Sequence, residues 1–419
     1  MLMRTPTRTR LRKRLLPLHI AVGLQGFMLW VPVEKLFMTE IGFDAAAVGA
    51  MAAAYAALVP IIEIPSGILA DRWSRRGVLI VASLSLLLCS LIGGLSTNVL
   101  TYTVSALVLG VYFAMYSGTM DSIIYDTVLE EAGDSNTFEQ RLGRVRLIES
   151  VALVVSSLLG GWIASLTTTR LTYFLTIPFA ALSIAAYLRF VEPQLHKAEA
   201  PTPLRRHLAI TYQTLTRRGR LLPIVTLTVL TSVILQVIFE FGPLWLVALA
   251  VPAILYGPYW AGLVSTLGLG GLLAGRLELH RPATVGSVVS LMILASLVLT
   301  AATNVIVVTL AQVVLALLVV LASIHVTHLL HDAVPSTIRS GVASGVSAIS
   351  WMVFLPIALA FGVVSTRYSV HTAGWMLTVA TVLAGLLLAR TTLARRTDTA
   401  TADPGPAPQL AAAVSAEAS

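Results

Sequence analysis

Long apolar runs separated by short polar or charged stretches recur from Leu15 to Ala389. A helix needs about 20 mainly apolar residues to cross a bilayer. Twelve such spans are predicted: Leu16–Met38, Ala46–Ala70, Val78–Ser96, Leu100–Val128, Val145–Leu166, Leu171–Phe190, Leu222–Val247, Tyr256–Leu273, Val285–Ala302, Val305–Leu330, Gly341–Val364 and Thr372–Ala389. The widest polar interval, residues 191–220, divides them six and six. Its segment Leu204–Leu215 suits a short amphipathic helix on the membrane surface. The pattern predicts one six-helix bundle over residues 1–190, a linker, and a second bundle over 221–392. Residues 393–419, rich in Ala, Pro and Thr, are expected to be a disordered cytoplasmic tail.

Composition narrows the class. The 419-residue chain is 57% hydrophobic and 11% charged, where soluble domains carry roughly 25% charged residues. Its mean hydropathy is +0.86. An all-α membrane protein is the class that fits. The net charge of +8 does not imply a nucleic-acid partner, because of where the charges lie. Of the 28 Lys and Arg, 25 fall on the tails and even-to-odd loops. Only Lys35, Arg170 and Arg367 fall on or near the other side. This bias puts both termini in the cytoplasm.

The lone cysteine, Cys89, allows no internal disulfide and no cysteine metal site. No Gly-x-x-x-x-Gly-Lys loop and no His-Glu-x-x-His motif occurs, so no cofactor and no enzyme activity are expected. His325, His328 and His331 precede Asp332 at a span end; proton relay suits them better than metal binding.

The halves echo one another. Leu24-Gln25 followed by Pro32 recurs as Leu235-Gln236 followed by Pro243. Tyr55, Ala57, Gly67, Leu69, Ala70 and Arg72 recur as Tyr259, Ala261, Gly271, Leu273, Ala274 and Arg276. Parallel repeats of this kind are common in secondary transporters.

Between spans 2 and 3 stands Gly67-Ile68-Leu69-Ala70-Asp71-Arg72-Trp73-Ser74-Arg75-Arg76. Gly67, then Asp71-Arg72, then the basic pair Arg75-Arg76 resembles the signature loop of the major facilitator superfamily, with Ser74 where that family usually has glycine. The resemblance extends to about residue 392. It implies a fold of two six-helix bundles that rock about a central site, in a bacterial cytoplasmic membrane. It also implies that Asp71 faces the start of span 11 near Ser340 and Gly341, and that Arg72 reaches Asp126, as a gate. Glu63-Ile64-Pro65-Ser66-Gly67 and Ser117-Gly118-Thr119-Met120-Asp121 through Tyr125-Asp126 resemble an exporter-like bacterial branch. Two features frequent in drug–proton antiporters are missing. Span 4 has no Arg, and Ser156-Ser157-Leu158-Leu159-Gly160-Gly161 keeps only the last two residues of a Gly-Pro-x-x-Gly-Gly element.

Charged residues at one depth on neighbouring helices should pair, because lone charge at a membrane edge is costly. Glu63, Asp121, Arg144, Arg146 and Glu149 are such a group on the cytoplasmic side. Near mid-membrane, Gln25 and Gln236 are related by the repeat, and Glu240 follows Gln236 by four residues, on the same helical face. Glu240 is the leading candidate for proton coupling, followed by Asp121, Glu149 and Glu63. Glu34 is a weaker one: on a continuous helix it lies opposite Gln25, and beside Lys35 it reads as the outer end of span 1. Tyr55, Tyr112, Tyr116, Gln312, Trp351 and Phe354 are candidates to line the cavity. The expected function is proton-coupled efflux of a small amphipathic organic compound or drug by a monomeric transporter in the lipid bilayer. Uptake of a polar solute and a sensor role are the alternatives.

Overall fold

The computed structural model describes residues 5–132, 137–193, 221–274, 276, 279, 281–334 and 339–401. Among them there are only helices and connecting turns. In chain order these are α1 (Thr5–Gln25), a 3₁₀ turn (Val31–Val33), α2 (Glu34–Glu40), α3 (Ala45–Arg72), α4 (Arg75–Leu95), α5 (Val99–Ala132), α6 (Phe138–Leu166) and α7 (Thr169–Arg189). After the linker come α8 (Leu222–Phe241), α9 (Pro243–Ala248), α10 (Ala253–Ala274), α11 (Pro282–Leu299), α12 (Val305–Ala333), α13 (Arg339–Arg367) and α14 (Val370–Thr401). Every predicted span has a helix. Among the described residues ten stretches are long and apolar enough to cross a membrane. Below that mark are the broken first span and α10, where Gly257, Pro258, Tyr259 and Trp260 dilute the hydropathy.

Three expectations are corrected or bounded. Spans 1 and 7 are not continuous helices, and each breaks near the proline that the repeat shares. Pro32 lies in the 3₁₀ turn and Pro243 starts α9. A break frees backbone groups that lipid cannot satisfy. In the first half the Leu29 N–H donates to Thr176 Oγ1 at 3.1 Å. In the second, Gln312 Nε2 donates to the Gly242 carbonyl at 3.2 Å. The last helix also continues to Thr401, so the first part of the expected tail is helical. The proposed linker helix at 204–215 and residues 402–419 lie outside the described residues.

The side from which α1 enters is the entry side; the opposite face is the far side. Within each half the helices pack mainly on one another, α3, α4, α5 and α7 in the first and α8, α11, α12 and α14 in the second. The largest crossings between the halves are α3 with α13 and α6 with α10, with smaller contacts of the 3₁₀ turn on α10 and of α2 on α9. Both of the largest use small residues on the far side. A Cβ on Gly49 would stand 2.5 Å from the Ala358 carbonyl and 3.0 Å from Gly362 Cα. One on Gly161 would stand 2.6 Å from the Gly257 nitrogen. Helices inside a membrane hold together by such close packing rather than by a hydrophobic drive. Gly160 is tighter still, since its Cβ would fall 2.0 Å from the Leu29 carbonyl in the broken first span. Gly160→Ala is therefore expected to cost about 1–3 kcal/mol. Gly143→Ala, with open space around it, should cost nothing. Thermal melts of the two purified variants check this.

Candidate functional site

The break in span 1 decides the site. Because α1 stops at Gln25 and α2 restarts at Glu34, the phase of one continuous helix no longer applies. Glu34 joins Gln25 on the same cavity wall, rather than lying opposite it. Lys35, expected at the outer end of the span, is buried with its side chain 1% exposed. Its ammonium donates to Glu34 Oε2 at 3.1 Å and to Glu240 Oε1 at 2.6 Å. Glu34 belongs to the first half and Glu240 to the second, so this lysine ties the halves together. Tyr102 donates to Glu34 Oε1 at 2.9 Å and lies 2.7 Å from the Tyr173 hydroxyl. On the far side the Ala46 N–H also donates to Thr366 Oγ1 of the other half at 2.7 Å.

Of these groups, Glu34 and Glu240 line a cavity of about 410 Å³ between the halves. The sequence candidates Gln25, Gln236, Tyr55, Tyr112, Trp351, Phe354, Glu34, Glu149 and Glu240 all line it. Tyr55 and Trp351, from opposite halves, lie 5.7 Å apart between ring centres. Gln25 has its amide engaged within the first half, donating to Ser83 Oγ at 2.8 Å and accepting from the Tyr187 hydroxyl at 2.9 Å. Gln236 differs, because its Oε1 is buried without a hydrogen-bond partner.

Two expected wall residues sit elsewhere. Tyr116 is buried behind Tyr112, their rings stacked 5.5 Å apart. Gln312 is 1% exposed and satisfies the break in span 7, where the Tyr259 hydroxyl also donates to it. Sequence reasoning missed Trp30, Phe239 and Trp260 on the wall, since aromatic residues in apolar runs look alike.

Of the expected entry-side group, Arg146, Asp121 and Glu149 come together. Arg146 Nη2 lies 2.8 Å from Asp121 Oδ1, and its Nη1 lies 3.4 Å from Glu149 Oε2. Arg146 is 45% and Asp121 43% exposed, so this link is weak beside the buried lysine. Glu63 is partly buried on α3 and does not line the cavity.

In the signature loop, Arg75 pairs with Asp126 and donates to the Ser122 carbonyl at 3.3 Å. The side chains of Gly67, Asp71, Arg72, Ser340 and Gly341 lie outside the described residues, and with them the expected Arg72–Asp126 and Asp71 contacts. Ser74 explains the departure from glycine: it is the N-cap of α4, accepting from the Gly77 N–H at 2.9 Å. Glu192 reinforces the cap, accepting from Ser74 Oγ at 2.6 Å and from the Arg75 N–H at 2.5 Å. A carboxylate is favoured at a helix N-terminus. Among the described residues no group of three His, Cys, Asp or Glu side chains could hold a metal ion.

A family model described as Major Facilitator Superfamily matches residues 15–359. No curated protein matches the sequence. Solved structures share the fold at low identity. A crystal structure of the nucleoside transporter NupG superposes with a TM-score of 0.70 at 16% identity, covering 90% of this chain and 98% of that one. An inward-facing, unoccupied bacterial homologue of the human lysosomal transporter Spinster gives 0.67 at 14%, covering 93% and 95%. A D-xylose–proton symporter gives 0.60 at 13%, covering 89% and 97%.

Proposed function

This chain belongs to the major facilitator superfamily, and from that premise we propose that it couples proton movement to the export of a small amphipathic organic compound by alternating access. The observation that carries the reading is the Lys35 bridge from Glu34 to Glu240 at the far-side wall of the cavity. Breaking a buried pair by removing one partner costs about 3–5 kcal/mol. A proton on Glu240 removes its charge and with it most of the attraction that holds Lys35 across the halves. The same group that receives the proton therefore controls the far-side seal.

The entry side is the cytoplasm, from the bias of 25 of 28 basic residues. The glycine crossings bring the helices of the two halves into close contact on the far side, and the cavity lining reaches Glu149 towards the entry side. Compound loads from the cytoplasm, the bridge opens, the halves rock, and protons from outside complete the exchange. A polar solute such as a sugar fits less well, because the cavity offers few uncharged hydrogen-bonding groups beyond two glutamines and two tyrosines.

The test uses purified protein in liposomes with a trapped pH dye and a panel of amphipathic compounds. Compound-dependent proton flux is expected. Compound movement that leaves internal pH unchanged would overturn the coupling, and flux with polar solutes alone would reverse the substrate reading.

A further inference from the structure

We propose that the cavity takes a lipophilic organic cation, and that the Lys35 ammonium is a tethered occupant of the carboxylates which that cation displaces. The proposal names the substrate class for the transport reading above and rests on it for movement; binding stands on the site alone.

Charge favours a cation. Three carboxylates line the cavity, Glu34, Glu149 and Glu240, and among the described residues no Lys, Arg or His does. Lys35 is behind the wall, 1% exposed, whereas Glu240 is 28% exposed. A solute in the cavity thus meets carboxylate rather than ammonium. The group of Glu34, Lys35 and Glu240 carries one net negative charge with both acids ionised. An anion entering here would lose its water and meet like charge, which a low-dielectric site penalises heavily.

The wall favours one as well. Trp30, Tyr55, Phe239, Trp260, Trp351 and Phe354 face the space beside the acids. Aromatic faces attract cations, more strongly once water is excluded. A volume of about 410 Å³ suits a drug-sized molecule. The partnerless Gln236 Oε1 adds an acceptor four residues from Glu240.

The site already holds a cation. Lys35 occupies Glu240 Oε1 at 2.6 Å and Glu34 Oε2 at 3.1 Å, while Tyr102 occupies the other Glu34 oxygen. A second cation beside Glu240 shares the same negative charge and weakens its hold on Lys35. Lys35, substrate and proton all draw on one carboxylate, so gain of one favours loss of another. That competition links cavity occupancy to the bridge between the halves.

The experiment measures binding to purified protein in lipid nanodiscs by calorimetry. The probes are tetraphenylphosphonium, a permanent cation; tetraphenylborate, of the same shape and opposite charge; and neutral triphenylphosphine oxide. The phosphonium is expected to bind at least about tenfold tighter than either. Lys35→Met should tighten it about tenfold further, and Glu240→Gln should weaken it by a similar factor. Equal or tighter binding of the borate or the oxide overturns the proposal without recourse to any variant. So does a Lys35→Met protein that melts cooperatively and binds the phosphonium no tighter than the native chain. Cation-selective binding with no proton flux in liposomes would leave this site standing and remove coupled transport. Proton flux driven by neutral compounds, with no preference for the phosphonium, would do the reverse.

Discussion

Glu240→Gln is expected to reduce compound-dependent proton flux to the leak of empty liposomes, while the protein stays folded. Glutamine keeps the shape of the side chain and its acceptor oxygen, so Lys35 retains a hydrogen bond from its ammonium but loses the opposite charge that it meets at 2.6 Å. The variant cannot take up a proton, and it resembles the protonated state at all pH values. The far-side seal should loosen permanently, and the exchange loses the group that carries it. Glu149→Gln serves as the comparison. Glu149 also lines the cavity, but its ion pair with Arg146 is a longer, exposed contact of 3.4 Å. Its loss should change stability by less than about 1 kcal/mol and leave flux measurable. Equal loss of flux in both variants would move the coupling away from the bridge.

Lys35→Met should have the larger effect on the fold. The ammonium is 1% exposed between two carboxylates. Removing it leaves Glu34 and Glu240 unpaired and repelling one another across the seam of the halves. A cost of about 3–5 kcal/mol is expected for such a break, read as a lower thermal midpoint. An added cation should recover part of it, because a ligand that binds only the folded state raises stability by mass action. A midpoint unchanged by Lys35→Met would mean that the bridge adds nothing to the seal.

Much of this arrangement is legible in the sequence, and the illegible part has a definite cause. The bilayer demands apolar runs of fixed length, so span number and order are readable. The loop from Gly67 to Arg76 and the doubled Leu-Gln and proline positions show the family and the repeat. Glu240 is readable because four residues separate it from Gln236 on an unbroken stretch of α8. Lys35 is not readable by the same route. Helical phase carried forward from Gln25 puts residues 34 and 35 on the wrong side, and the chain breaks at residue 26 before reaching them. The signal was present in Gly26, in Pro32 and in the matching Pro243, which together mark a break in each half. Gln312 lies off the cavity for a related reason: its amide is needed at the break in span 7, a partner 70 residues away that no local pattern reveals. Tyr116 and Tyr112 differ only in which turn of α5 meets the cavity.

The Lys35–Glu240 bridge is expected to hold the far side shut. The direct measurement is the distance between spin labels at Leu166 and Tyr368, which are 66% and 69% exposed and lie at the far-side ends of α6 and α13. The single native cysteine is buried and will not label. In nanodiscs the native protein should show one narrow distance population. Glu240→Gln should move a large fraction of it to longer distances, as tetraphenylphosphonium should in the native protein. Identical distributions in the native chain and in Glu240→Gln, with and without the cation, would contradict the account.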